Sequence, residues 1–439
     1  MRSSAVCLAL LFAGSASAQT PLPLSLKRAV EIALAPDGNT RVALAQESIA
    51  QAEDRVKQSR AAFLPNLDAT ITDRRLTNNL KAFGFSFALP GFSIPSMVGP
   101  FSVFDARATA QQSVLNFSDI HKYQASKVSL QAVKTENDAT KNQVSDEIAR
   151  NYLACLRADA NRNTAGANVD LSQALLDLAK RQQSAGTGTG IEVTRADVQL
   201  ANDRQRLARA ENDRARAILQ LMKAMGLSMS TAVELTGKLA FQTVDTATAE
   251  ALLDQARKAR PDLKTQQQRE EVAKLNFSAV KSERLPTLGA SADYGAIGSA
   301  PYNSNGTYTM GVSVRIPVFD GGRRDGRRQE TFSQYKQEQI RSKDLGQQIE
   351  LQVRQALENL RSATAEVDAS RDGEKLAESE LAQARRRYEA GVATSVEVID
   401  AQTRLQRARD NNVLALYDYN LARLDLATAT GNIGEYVNQ

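Results

Sequence analysis

RRYEAGVATSVEVIDAQTRLQRARDNNVLALYDYNLARLDLATATG, residues 386–431, is the stretch that decides how this 439-residue chain is read. Aligned without a gap to RQQSAGTGTGIEVTRADVQLANDRQRLARAENDRARAILQLMKAMG, residues 181–226, it is identical at 16 of 46 positions. The shared residues include Ala185/Ala390, Gly186/Gly391, Thr189/Thr394, Glu192/Glu397, Leu200/Leu405 and Gly226/Gly431. Shared composition accounts for only a few of these, so the chain holds an internal repeat of long period. Each copy reads as the turn of a helical hairpin followed by its descending helix. The Ala-Gly pair stops the incoming helix in a left-handed C-cap. Thr-x-x-Glu then predicts a capping box at Thr189/Glu192 and again at Thr394/Glu397. Leu414, Tyr417, Leu421 and Leu424 follow at the spacing of one helix face.

Working outward, a helical region over residues 26–62, interrupted near Pro36, runs into Phe63-Leu64-Pro65-Asn66-Leu67. A similar passage recurs at Leu285-Pro286-Thr287-Leu288, so the whole chain reads as two tandem copies. After each Leu-Pro the apolar period drops to two. Leu288, Ala290, Ala292, Tyr294 and Ala296 form one alternating run. Tyr308, Met310, Val312, Val314, Ile316 and Val318 form a cleaner one, with Thr307, Thr309, Gly311, Ser313 and Arg315 between them. The first copy is weaker: Leu67, Ala69 and Ile71, then 104–114 with Asp105, Arg107, Thr109, Gln111 and Ser113 on the polar side. Residues 76–102, rich in Phe, Gly and Pro, read as a long external loop. An apolar face of about ten residues opposite a polar face suits a tilted outer-membrane strand.

All eleven prolines lie at or before Pro317, and none falls between Pro100 and Pro261. The Pro-free tracts predict very long helices, the first over 119–185, roughly 100 Å at 1.5 Å per residue. Leu345, Ile349, Val353, Leu357 and Leu360 keep a coiled-coil stripe. Such helices must pack along one another and along other subunits.

Residues 1–18 have the form of a signal peptide: Arg2, an apolar run from Val6 to Ala13, and Ala16-Ser17-Ala18 before the cut. Cys7 lies within it, which leaves Cys155 alone in the exported chain. On a helical apolar stripe it reads as a buried small hydrophobe. The formal net charge of +5 is spread along helix faces, which argues against a nucleic-acid patch.

The Leu-Pro passages into paired strands, Val318-Phe319-Asp320-Gly321-Gly322 before the third long helix, and the Tyr-x-x-Gly-x-x-Thr-x-x-Glu-Val-x-Asp-Ala-Gln tip of residues 388–402 resemble the TolC family of outer-membrane efflux channels. The resemblance covers nearly the whole mature chain. It implies an α+β membrane protein: a trimeric β-barrel with four strands per chain, continued by a long α-helical coiled-coil tunnel. The parts would be 1–18 signal peptide, 19–65 N-terminal helical segment, 66–114 first strand pair and 119–226 first long hairpin. The second half would be 227–285 equatorial helical segment, 286–319 second strand pair, 323–431 second long hairpin and 432–439 tail. The implied protein is a homotrimer in the outer membrane of a Gram-negative bacterium. It passes substrates, in efflux or type I secretion, from an inner-membrane pump joined to it by a periplasmic adaptor. The chain lacks tryptophan, so any aromatic girdle is Tyr and Phe.

By the same resemblance, acids at Glu397 and Asp400 ring the narrow periplasmic gate, Glu192 is the corresponding acid of the first hairpin, and Tyr388 helps hold the tips closed. Capping already accounts for Glu192 and Glu397. Asp400 sits deeper in its helix, where the first copy has Arg195. At Ala393 the family's arginine is missing, which leaves one closing contact without its cation. The adaptor would dock on the turns, Ala185, Gly186 and Thr187 in one hairpin and Ala390, Gly391 and Val392 in the other. No catalytic set surrounds His121, the single histidine, and no cofactor or metal is expected. The competing reading is a periplasmic coiled-coil scaffold or adaptor without a pore, which needs no amphipathic strands.

Overall fold

The structure, a computed structural model, describes residues 22–36, 38–84, 88–89, 92–93, 95–242 and 248–438. The leader expected at residues 1–18 lies outside them, as does part of the loop expected at 76–102. In order, the elements are β1 (Leu22–Leu24), α1 (Leu26–Leu34), α2 (Thr40–Ala61), β2 (Asn66–Asn79), β3 (Ala88–Leu89), β4 (Phe92–Ser93), β5 (Met97–Leu115), α3 (Phe117–Ser184) and α4 (Gly190–Met225). Then come β6 (Val233–Leu235), α5 (Ala249–Ala259), α6 (Pro261–Lys281), β7 (Thr287–Ala300), β8 (Asn303–Arg315), α7 (Arg323–Glu389), α8 (Ser395–Thr430) and α9 (Ile433–Asn438). The described residues fall into two units, one within 45–138 and 261–347, the other within 22–44, 139–260 and 348–438.

The first unit carries a four-stranded antiparallel sheet in the order β2-β5-β7-β8. Its register turns period-two alternation into two faces. Leu67, Ala110, Ala292 and Met310 make one row across the four strands, and Ala69, Ala108, Tyr294 and Tyr308 the next. The intervening rows are polar, as in Asp68, Thr109, Asp293 and Thr309. Leu67, Ile71, Tyr294, Tyr308, Met310 and Val312 are each at least 70% exposed in the single chain, so this face needs a cover that the described residues do not supply.

The strands differ from expectation at their ends. Pairing of β2 with β5 persists past a register shift at Leu76/Asn78 to Asn79↔Met97, so residues 76–79 and 97–102 belong to strands rather than to an external loop. A second shift between Ser113 and Leu115 takes Val114 off the ladder with β7. On the other side β8 ends at Arg315, before Ile316 and Val318, because Pro317 offers no N–H to a ladder.

In the second unit, residues 139–184 of α3 form one hairpin with α4, and residues 348–389 of α7 form the other with α8. The descending helices α4 and α8 are 36 residues each and close on left-handed Gly226 and Gly431. Of the predicted coiled-coil stripe, Ile349, Val353, Leu357 and Leu360 are buried, while Leu345 is half-buried. On α8 the burial is wider than the predicted face. Leu414 is 40% exposed while Ala415, Tyr419, Ala422 and Leu426 are buried, because this helix packs on more than one neighbour.

A compact core sits where the hairpins end, built from Leu24, Val144, Ile148, Tyr152, Leu221, Met225, Leu424 and Ile433. Two pieces of it were not in the sequence reading. The 19–65 segment contributes β1, which pairs in parallel with β6, Leu22↔Val233 and Leu24↔Leu235. The expected 432–439 tail contains α9, whose Ile433 and Val437 are buried. Tyr152 ties the pieces together: its hydroxyl donates to the Leu24 carbonyl at 3.0 Å and accepts from the Gly237 N–H at 3.1 Å.

Cys155 lies in the same core, fully buried. Burial pushes its thiol up to about 12, so it stays protonated at neutral pH. In the folded mature protein at pH 8 it is expected to ignore a thiol reagent such as DTNB, and one thiol is expected to titrate after denaturation. Rapid reaction of the native protein would contradict this packing.

Candidate functional site

At both hairpin tips the incoming helix ends in the same backbone motif. The Gly186 N–H donates to the Gln183 carbonyl and the Thr187 N–H to Gln182, both at 3.0 Å. Gly391 and Val392 repeat this with Tyr388 and Arg387, also at 3.0 Å. These are Schellman caps, and φ is 75° at Gly186 and 72° at Gly391, the left-handed region glycine enters freely. The turns leave Ile191, Val392 and Val396 exposed.

The acids then diverge. Glu192 completes the predicted capping box, its carboxylate accepting the Thr189 N–H at 3.0 Å. Glu397 does not. Its carboxylate lies 3.2 Å from Arg387 Nε on the incoming helix, and the Thr394 side chain makes no cap bond. The reason is one residue. The position equivalent to Arg387 in the first hairpin is Gln182, which is neutral, so Glu192 has no cation to leave its helix N-terminus for. The Glu397 pair is largely exposed and contributes about 0–1 kcal/mol. Asp400, one turn further on, is exposed, and among the described residues it has no hydrogen bond or ion pair within the chain.

Tyr388 is buried at the tip in a cluster with Leu175, Leu381, Val398 and Leu405. Burial first, and then the Glu192 carboxylate, push its phenol above the ordinary range. The fold thus brings Tyr388 of one hairpin and Glu192 of the other into electrostatic range. Among the described residues the Tyr388 hydroxyl, though buried, has no hydrogen-bond partner.

On the sheet, the polar face holds a charged cluster that the alternation showed only as separate residues. Arg107 Nε donates to Asp105 and Nη1 to Asp293, each at 2.9 Å. Directly opposite Arg107 on β7 is Gly295. A Cβ there would lie 2.4 Å from both the Ala106 carbonyl oxygen and Arg107 Cβ, so glycine is what lets β5 and β7 close with the arginine between them.

The sequence reading also missed a group between the hairpins. Ser172, Asp203 and Gln402 are each no more than 2% exposed and hydrogen-bonded to one another. A signal was present: Asp203 follows Ala196 and Leu200 at spacings of 4 and 3, an acid on an apolar helix stripe.

A family model described as "Outer membrane efflux protein" matches residues 32–227 and 252–432. The chain belongs to that family. It is 25% identical over 342 residues to outer membrane protein TolC of Vibrio cholerae, covering 73% of this chain and 76% of the relative. It is 23% identical over 401 residues to the pyoverdine export outer membrane protein OpmQ of Pseudomonas aeruginosa, covering 88% and 81%. Among solved structures, the CmeC outer membrane channel of Campylobacter jejuni superposes with a TM-score of 0.78 at 16% identity, over 93% of this chain and 85% of that one. VceC of Vibrio cholerae gives 0.76 at 19%, over 92% and 96%. The fold is that of these channels, and the family is one of outer-membrane efflux and secretion channels rather than enzymes. The poreless scaffold has no use for the two-faced sheet, and family membership sets it aside.

Proposed function

We propose that three copies of this chain form the outer-membrane duct of a tripartite efflux or type I secretion system. A periplasmic adaptor would seat on the tips and join the duct to an inner-membrane pump. The observation that carries the reading is the sheet. It is apolar on one face and polar on the other, and among the described residues β2 and β8 each pair on one side only. Two edges of 14 and 13 residues present unpaired N–H and C=O groups, which cannot remain so in a bilayer. Joining β8 of one copy to β2 of the next satisfies both edges, and three copies give twelve strands. The apolar rows then meet lipid, and Arg107, Asp105 and Asp293 line the pore. Helices of 68 and 67 residues carry that pore into the periplasm.

Gating follows from the tips. Glu397 is engaged by Arg387, which leaves Asp400 as the uncompensated acid. Three copies of Asp400 around an axis would focus a negative potential at a narrow mouth, favouring cations and binding multivalent cations that plug it. The test is single-channel recording in planar bilayers. Wild type is expected to conduct, to prefer cations and to be blocked by trivalent metal complexes. Asp400→Asn is expected to lose most of that preference and to weaken block at least ten-fold, with Glu397→Gln milder. Unchanged selectivity and block in Asp400→Asn would turn that residue away from the lumen. A wild-type protein that stays monomeric and never conducts would overturn the duct itself.

A further inference from the structure

The connection between β2 and β5, at the end of the sheet away from the long helices, has a composition that a duct wall does not explain. Between Lys81 and Asp105 the chain runs 23 residues without a charge, and Phe83, Phe85, Phe87, Phe92, Phe101 and Phe104 fall within them. The corresponding turn of the second copy is Pro301-Tyr302, followed by Asn303, Ser304 and Asn305. A short polar turn suits water. A long uncharged aromatic one needs a cover.

The register shows where that cover is wanted. β5 pairs with β7 only as far as Phe104↔Gly298, and among the described residues β2 and β5 continue beyond it as a two-stranded ribbon. There the two faces exchange character. The face of Leu67, Ala69 and Ile71 goes on to Asp73 and Arg75, with Ser102 opposite Arg75 and Phe104 opposite Asp73. Charges on that face mark the level at which lipid has ended. The face of Asp105 and Arg107 goes on to Val103 and Phe101, with Leu76 opposite Phe101. Arg74, opposite Val103, is the charge at its base. Leu76, Phe101 and Val103 are half-buried in the single chain, and Phe83, just past the ribbon, is 69% exposed. The register shift at Leu76/Asn78 puts an extra residue into β5, and such a bulge bends the strand that carries it.

We propose that the ribbon is a contact surface for further copies of this chain: Leu76, Phe101 and Val103 of three copies meet over the outer mouth of the barrel as an apolar collar. The proposal rests on the duct reading above. Residues 74–79 carry the ribbon roughly 20 Å past the last β5–β7 pair at 3.3 Å per residue. A barrel of twelve strands, about 4.8 Å apart and tilted by about 40°, has a radius of roughly 12 Å, so three ribbons reach its axis. The face that turns inward is the apolar one. To lie in the membrane instead, the ribbon would have to turn over and expose Val103 and Phe101 where Asp73 and Arg75 now stand. A narrow apolar ring is poorly wetted, so it slows bulky hydrated solutes that enter from outside.

The experiment uses the full mature protein in the outer membrane of intact cells, in a Cys155→Ala background, on variants first shown to form heat-stable trimers. A short bis-maleimide is expected to join copies of Phe101→Cys into covalent dimers and to leave Ser102→Cys, on the other face, monomeric on denaturing gels. Access to the lumen is read at Thr309→Cys, which lies on the polar face of the sheet. A small hydrophilic maleimide added outside is expected to label it in every variant. A bulky polyethylene-glycol maleimide is expected to label it slowly, and on the order of ten-fold faster when Leu76, Phe101 and Val103 are all changed to Ser. Arg75→Ser, on the outer face of the ribbon, should leave that rate unchanged. The cross-linking arm changes one ribbon residue at a time and decides the matter if the triple variant does not assemble. No dimers from Phe101→Cys is the result of a ribbon that lies in lipid or on another protein. That result, dimers from Ser102→Cys instead, or bulky labelling indifferent to the triple change would each overturn the collar and leave the duct intact. A Thr309→Cys that rejects even the small reagent would overturn the lumen face, and the collar with it.

Discussion

Replacing Gly186 and Gly391 together by leucine is expected to abolish export from cells while trimers still assemble. Both glycines sit at φ above 70° with nothing within 4 Å of a built Cβ, so the substitution meets no clash. The cost is backbone: a left-handed leucine is strained by roughly 1–2 kcal/mol at each site. The chain relieves that strain only by opening the Schellman turns, which moves Thr187 and Val392, the residues proposed to meet the adaptor. Assembly is expected to be spared because a side chain at either glycine meets nothing else in the chain. The readout is export of the natural or a reporter substrate beside the yield of heat-stable trimer. Full export by the double variant would remove the tips from the docking site. A second arm places single cysteines at Thr187 and Val392, with Cys155 silent because it is buried. Cross-links to a periplasmic protein are expected, and their absence would count against docking there.

The other large effect is expected on the sheet. Gly295→Val should eliminate outer-membrane trimers almost completely, whereas Gly311→Ala should leave them near wild-type yield. Both glycines lie on polar rows of the sheet, so the comparison isolates space. Around Gly311 nothing lies within 4 Å of a built Cβ. At Gly295 a Cβ meets the backbone of β5 at 2.4 Å, and backbone cannot swing aside as a side chain can. Overpacking in a well-packed core costs typically 1–3 kcal/mol, and a backbone clash exceeds it. β5 and β7 are the seam between the two strand pairs of the chain. Splaying them breaks the Arg107 link to Asp293 and leaves two more unpaired edges in the bilayer. The measurement is trimer yield in outer-membrane fractions, and a normal yield of Gly295→Val would refute the β5–β7 register.

These two sites show how unevenly the molecule is legible. The tip glycines were readable because a helix stop needs only a residue free to turn left-handed followed by a capping residue, all within six positions. The seam glycine was not. Nothing local marks Gly295, and its meaning appears only when Arg107, 188 positions earlier, is laid beside it by the register. The acids divide in the same way. Glu192 caps its helix as the local pattern requires, while Glu397, in the same pattern, was taken by Arg387 across the turn. A capping box competes with any nearby cation, and spacing along one helix does not show which cations the return helix will present.

By itself the sequence determined what depends on neighbours along the chain. Period-two alternation placed four amphipathic strands, Pro-free tracts placed four long helices, and Ala-Gly with Thr-x-x-Glu placed both turns, because side-chain direction repeats every two residues in a strand and every 3.6 in a helix. The tertiary structure alone decided what depends on partners far apart: the strand order β2-β5-β7-β8, the short β1–β6 pair, the burial of α9, and the meeting of Ser172, Asp203 and Gln402. A three-residue strand or a six-residue helix has too little intrinsic preference to declare itself. It forms because a core elsewhere in the chain has a place for Leu24 or Ile433, and a buried carboxylate is tolerated only where distant helices happen to bring it donors.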